Sequence, residues 1–179
     1  MTAQTIIEST YALLFAQDDI NVYAVLDGAS IPKLLAKLDE YQPLTICLFP
    51  EELAPDMAEV APYLIQLEAG TEFIDWLLMN GWGEHWGIYA LTHADIYEMR
   101  QHLYQFLIVY DHNGKPLRFR YYDPRVLRHF LPTCRVDELA AFFGPISNFL
   151  LEAEDPSYLL RYHTSNSSLV AEKLELKNR

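Results

Sequence analysis

Val22-Tyr23-Ala24-Val25-Leu26-Asp27-Gly28 is an unbroken apolar run stopped by an Asp-Gly turn. A short run of this kind reads as a strand buried on both faces. Just beyond it, Ser30 can cap a helix that tolerates Pro32 in its first turn. Leu34, Leu35 and Leu38 then recur at helical spacing. Leu44 to Phe49 is a second apolar run, closed by Pro50. Strand, helix and strand in such close succession form a βαβ unit, which predicts parallel pairing of the two strands through a right-handed crossover.

The pattern continues outward. Glu51 to Glu59 is acidic, contains Pro55, and reads as a loop with a helical turn; Tyr63 to Leu67 reads as a strand. Thr71 caps a helix with Phe73, Trp76 and Leu77 on one face, and Asn80-Gly81 supplies a left-handed stop. Trp86 to Leu91 is a third buried strand. Thr92 with Asp95 then predicts a capped helix carrying Ile96, Met99 and Leu103 on one side. Phe106 to Tyr110 and Leu117 to Tyr122 flank Asp111-His112-Asn113-Gly114, a hairpin signal. In the second of these strands Leu117, Phe119 and Tyr121 alternate with Arg118, Arg120 and Tyr122. Asp123 is an N-cap with Pro124 at the first helical position, followed by Val126, Leu127 and Phe130. A helix over Val136 to Phe143 stops at Gly144-Pro145. Asn148 to Ala153 and Tyr158 to His163 pair as a late hairpin, and Leu169 to Arg179 reads as a loose amphipathic tail. The fold class expected is α/β: a mixed sheet with βαβ units plus an antiparallel hairpin. It occupies an α/β domain over residues 1–150, with a short C-terminal appendage over 151–179.

Bulk properties narrow the function. The net charge is -12 over 179 residues, with no Lys/Arg cluster against it. A nucleic-acid backbone or an anionic membrane surface would be repelled, so neither is an expected partner. Twelve Tyr, nine Phe and three Trp must fill a core or line a protein contact. Cys47 and Cys134 show no CxxC spacing and read as buried or half-buried thiols in a reducing compartment. Met1 to Ser9 lacks signal-peptide character, and no apolar stretch approaches the ~20 residues of a membrane helix. The expected localisation is cytoplasmic.

A search for chemistry finds no nucleophile elbow, P-loop, H-E-x-x-H helix or dinucleotide glycine motif. Gly81-Trp82-Gly83 follows a helix and is crowded by Trp86, the wrong setting for phosphate. Glu84, His85, His93 and Asp95 are the best candidate acid/base or metal group, with solvated residues at a loop and helix start as the simpler reading. No catalytic, cofactor-binding or metal residue is therefore assigned, and no cofactor is expected. The dense features are structural or partner-binding candidates. In Phe119-Arg120-Tyr121-Tyr122-Asp123-Pro124-Arg125, Arg120 is positioned to meet a carboxylate such as Asp27, while Tyr122 and Arg125 are of hot-spot type. Trp82 and Trp86 flank the Gly-rich turn, where either core packing or a protein contact would use them.

Taken in order, these segments resemble a known family. Tyr23 to Ala29 resembles its opening strand and turn. Ala61-Pro62-Tyr63-Leu64, Trp76-Leu77-Leu78, Gly81-Trp82-Gly83 and Trp86-Gly87 are similar to its middle. Arg100 to Leu103, the Asp111 to Gly114 turn, Phe119 to Arg125 and Phe143-Gly144-Pro145 resemble its second half. The match runs from about Tyr23 to Leu151. The family is that of type VI secretion effector adaptors, or effector chaperones. The resemblance implies a non-enzymatic protein that binds the N-terminal region of a secreted effector and loads it onto the VgrG spike. It also implies that many members carry a longer helical C-terminal lobe, which would leave effector contacts here to the α/β lobe. An immunity protein that neutralises a toxin by binding its catalytic domain is the alternative, distinguished by which part of the toxin is bound.

Overall fold

The computed structural model describes residues 3–49 and 52–177. Along the chain run α1 (Ala3–Leu14), β1 (Asn21–Asp27), α2 (Leu34–Tyr41), β2 (Thr45–Cys47), α3 (Pro55–Glu59), β3 (Pro62–Leu67), α4 (Glu72–Gly81), β4 (Gly87–Thr92) and α5 (Ile96–Tyr104). There follow β5 (Ile108–Tyr110), β6 (Pro116–Arg118), α6 (Pro124–Phe130), α7 (Val136–Phe143), β7 (Ile146–Glu152), β8 (Tyr158–Ser165) and β9 (Ser168–Glu175). Pro50 and Glu51, the expected end of the second apolar run and start of the acidic segment, lie outside the described residues. So do residues 1–2 and 178–179.

Seven strands form one sheet in the order β2-β3-β1-β4-β7-β8-β9, while β5 and β6 make a separate hairpin. The architecture is mixed α/β with a mainly antiparallel sheet. One connection differs from the expectation. β1 and β2 do run parallel, but they are not paired: β3 lies between them, antiparallel to both. The βαβ reading takes two strands joined by a helix to be neighbours, and an unbroken apolar run, the mark of a strand buried on both faces, does not name its neighbour. Here an antiparallel sheet is covered on both sides, so the same unbroken apolar run arises. β2, only three residues long and half-buried, is left as an edge.

Side-chain alternation divides the strands between two cores. Tyr23, Val25, Leu64, Ile88, Ala90, Phe149 and Leu151 face a layer built by α5, α6 and α7, through Met99, Leu103, Leu127, Leu139, Phe142 and Phe143. Val22, Ala24, Leu26, Ile65, Tyr89, Leu91 and Leu150 face α1, α2 and α4, through Leu14, Leu34, Phe73, Ile74 and Leu77.

Local signals mostly hold. Asp123 caps α6 with Pro124 at its first position, and α7 spans Val136–Phe143 as read. Several stretches differ. Ser30 does not cap α2, which begins at Leu34 behind Lys33; Thr71 precedes α4 without a side-chain capping bond; and Asp95, not Thr92, caps α5. Asn80-Gly81 does not stop its helix: α4 runs through Gly81 to a C-cap at Trp82. The segment read as a loose tail is instead β9, paired along its length with β8 across Asn166 and Ser167, both at positive φ. The boundary expected after residue 150 falls inside β7.

Candidate functional site

One end of the large sheet gathers three buried carboxylates, and the sequence candidates converge on them. Asp27 ends β1 and is 1% exposed. It accepts the Ala29 N–H at 3.2 Å and the Ser30 hydroxyl at 2.8 Å. Arg120, in the connection from β6 to α6, donates to Oδ2, the oxygen that also accepts from Ser30, so the anticipated Arg120–Asp27 pair forms. The pair is only half inside: the Arg120 side chain is 45% exposed. The hydrogen bond to Asp27 raises the guanidinium pKa, so this charge is permanent.

Asp123 caps α6 by accepting the Arg125 N–H at 2.9 Å. It also takes a bidentate fork from the Arg125 side chain, at 3.0 Å from Nε and 2.8 Å from Nη2. Burial alone would raise this carboxyl, yet the Arg125 hydrogen bonds outweigh it and hold Asp123 below its ordinary value. Tyr122 is buried, its ring edge-on to Tyr121 at 5.6 Å. It belongs to the core and not to a surface grip. Glu152 ends β7 beneath the α4–β4 loop, where it accepts the backbone N–H groups of Gly83 and His85 and meets the His85 ring. Arg128 donates to the Glu152 carbonyl at 3.0 Å.

The tryptophans tie this end together. Trp82 donates its indole N–H to the Pro156 carbonyl at 2.8 Å and stacks on Tyr89. That pins the α4–β4 loop to the β7–β8 loop. Trp86 packs on Trp76 at 5.4 Å and lies so close over Gly81 that a Cβ there would meet it at 2.5 Å. Both rings are half-buried and occupied by their own fold.

The candidate acid/base group does not assemble. His85 pairs with Glu152 before β4, whereas His93 lies beside the Asp19 carbonyl past its far end. Asp95 caps α5 by accepting from Tyr97 and Glu98. Burial raises the Cys47 thiol and pushes Cys134 up to about 11, which disfavours a thiolate at either. Among the described residues no group of three or more His, Cys, Asp or Glu is arranged to hold a metal ion, and no helix is long and apolar enough to cross a membrane.

A second site had no candidate in the sequence reading. The β5–β6 hairpin stands off the main sheet with Ile108, Val109, Tyr110 and Leu117 exposed, Tyr110 at 71%. Between it and the segment leading into α3 runs a groove of 620 Å³, lined mainly by Phe49, Leu53, Met57, Tyr104, Ile108 and Tyr110. Arg118 lies over the Phe49 ring at 4.8 Å. Concentrated apolar exposure of this kind marks protein contacts. No local signal marks it: in sequence an apolar run such as Ile108-Val109-Tyr110 reads like the buried strands.

The profile of a family described as Domain of unknown function (DUF4123) matches residues 22–141, from β1 into α7. No curated protein and no solved structure matches the chain.

Proposed function

The chain belongs to the DUF4123 family, which is known among type VI secretion effector adaptors, and from this premise we propose that it is a non-catalytic effector adaptor. In this reading it binds the N-terminal region of a cognate effector in the cytoplasm and delivers it to the VgrG spike. The observation that carries the proposal is the family match, which takes in the hairpin and the Asp27 and Asp123 parts of the sheet-end cluster, with Glu152 beyond it.

The side-chain inventory supports it. The conspicuous polar groups are engaged with one another: Arg120 with Asp27, Arg125 with Asp123, His85 with Glu152. Among the described residues the apolar hairpin groove offers a surface for a partner. A net charge of -12 favours a client with basic or mixed charge. A loading adaptor has to hold its client firmly and still release it, which suits an interface of roughly 1,200–2,000 Å² with aromatic anchors.

The test is deletion of the gene with export of each effector followed separately. Export of one effector should stop while the others continue, and the purified chain should retain that effector's N-terminal fragment. Unchanged export of every effector sinks the proposal. Retention of the toxin's catalytic domain alone would make the protein an immunity factor instead.

A further inference from the structure

We propose that the outer edge of β5 is a docking strand, along which the partner adds an extended, alternately apolar segment carrying a Lys or Arg that faces Glu52. This rests on the adaptor reading and specifies how the effector is held.

The backbone supplies the first argument. Phe119 donates to the Leu107 carbonyl at 2.9 Å and Asp111 to the Lys115 carbonyl at 3.0 Å. Odd positions of β5 therefore turn toward β6, and Ile108 and Tyr110 turn their N–H and C=O groups outward. Among the described residues nothing hydrogen-bonds to those outward groups. Such a row matches another extended polypeptide, which it would bind by strand addition.

The other edges are guarded. β6 carries Pro116, which has no N–H to offer. The Cys47 carbonyl of β2, and that of Phe49 just beyond, accept from Arg100 at 3.1 and 3.4 Å. β9 carries Glu172, Lys173 and Glu175, the charged side chains that discourage edge pairing. Ile108-Val109-Tyr110 has neither proline nor charge.

Side chains set the chemistry of the occupant. Ile108 and Tyr110 share the hairpin face that lines the groove, so alternate residues of an added strand would project over Leu53, Met57 and Phe49. Charge complementarity selects the flank. Glu52 lines the groove and, with Asp56 on the first turn of α3, forms no ion pair among the described residues. In a chain of net charge -12 these carboxylates call for a basic side chain.

The experiment uses the full chain and the effector N-terminal fragment that it retains on co-purification. Adding the fragment should slow hydrogen exchange at the Ile108 and Tyr110 amides, while Val109, already bonded to β6, changes little. Ile108→Pro and Tyr110→Pro each remove one outward N–H and leave the β6 bonds intact. Each should weaken binding about tenfold at an unchanged melting temperature. Glu52→Lys should weaken it several-fold, and the effect should shrink in high salt. Should Ile108→Pro not fold, Tyr110→Pro, at an exposed position, carries the test. Binding without amide protection overturns the proposal, as does protection that grows with protein concentration in the absence of fragment, which would mean a second copy on this edge. A fragment retained equally by wild type and the proline variants overturns it alone; a wild-type chain that retains no effector fragment overturns the adaptor reading as well.

Discussion

Two adjoining stretches of this chain spend their residues in opposite ways. From Ile108 to Arg118 the β5–β6 hairpin leaves apolar side chains in solvent and a strand edge unpaired. From Phe119 to Arg125 nearly every side chain is committed: Phe119 against Phe130 and Phe142, Tyr121 with its hydroxyl on the Leu103 carbonyl, Arg120 on Asp27, Arg125 on Asp123. The chemically conspicuous stretch is the architectural one, and the plain hydrophobic one is the stretch with something left to offer. Arg and Tyr are typical of interface hot spots, but a guanidinium already forked onto a buried carboxylate has little left for a partner.

The sharpest way to break this contrast is Arg120→Ala. It strands a carboxylate that is 1% exposed, with only Ser30 and the Ala29 N–H still bonded to it. Breaking a fully buried pair costs about 3–5 kcal/mol. Because the Arg120 side chain is 45% exposed, solvent screens part of that, and a loss of roughly 2–3 kcal/mol in urea unfolding is expected. The double variant with Asp27→Asn should recover part of the loss, since the charge left behind is then gone. Arg120→Ala melting like wild type would remove the architectural role from this stretch.

Asp123→Ala comes next, at about 1–2 kcal/mol, the range for a lost helix N-cap. The same residue predicts an acid response. Its folded pKa lies below the ordinary carboxylate value, so its contribution is fully present above that value and is lost as pH falls through the folded pKa. Arg125→Ala, at an exposed side chain, should cost under about 1 kcal/mol near neutrality. Its clearer signature is a shallower acid limb, because Asp123 would then titrate closer to its ordinary value. An acid limb unchanged in Arg125→Ala would mean that the cap and not the guanidinium holds Asp123 ionised.

The committed stretch was more legible in the sequence than the free one, and the reason is range. Asp123-Pro124 and Val136–Phe143 start and stop on local capping chemistry, which a sequence displays directly. Arg120 meeting Asp27 joins residues 93 apart, yet a buried charge demands an opposite charge and few were placed to answer. The insertion of β3 between β1 and β2 had no local sign, because two covered faces give the same apolar run whichever way the neighbours point. β9 was hidden for a related reason: Leu169, Val170 and Leu174 among charged residues look like a tail until β8 supplies their partners. The hairpin groove was illegible because exposure is a global property. Nothing in Ile108-Val109-Tyr110 tells that Phe119 and Tyr121 fill the core in its place.

The smallest effect on stability should come from the hairpin, and there smallness is the informative outcome. Leu117→Ser and Tyr110→Ser alter exposed side chains and should move unfolding by no more than about 0.5 kcal/mol, as surface substitutions do. The two need not agree in function. Tyr110 lines the groove, whereas Leu117 pairs with Val109 on the opposite face of the hairpin. Retention of the effector fragment by a pull-down at fixed concentration should therefore fall for Tyr110→Ser and hold for Leu117→Ser. Equal loss in both would widen the contact from the groove to the whole hairpin. A Tyr110→Ser chain that unfolds early would show that the hairpin is committed to the core after all, and the contrast between the two stretches would collapse.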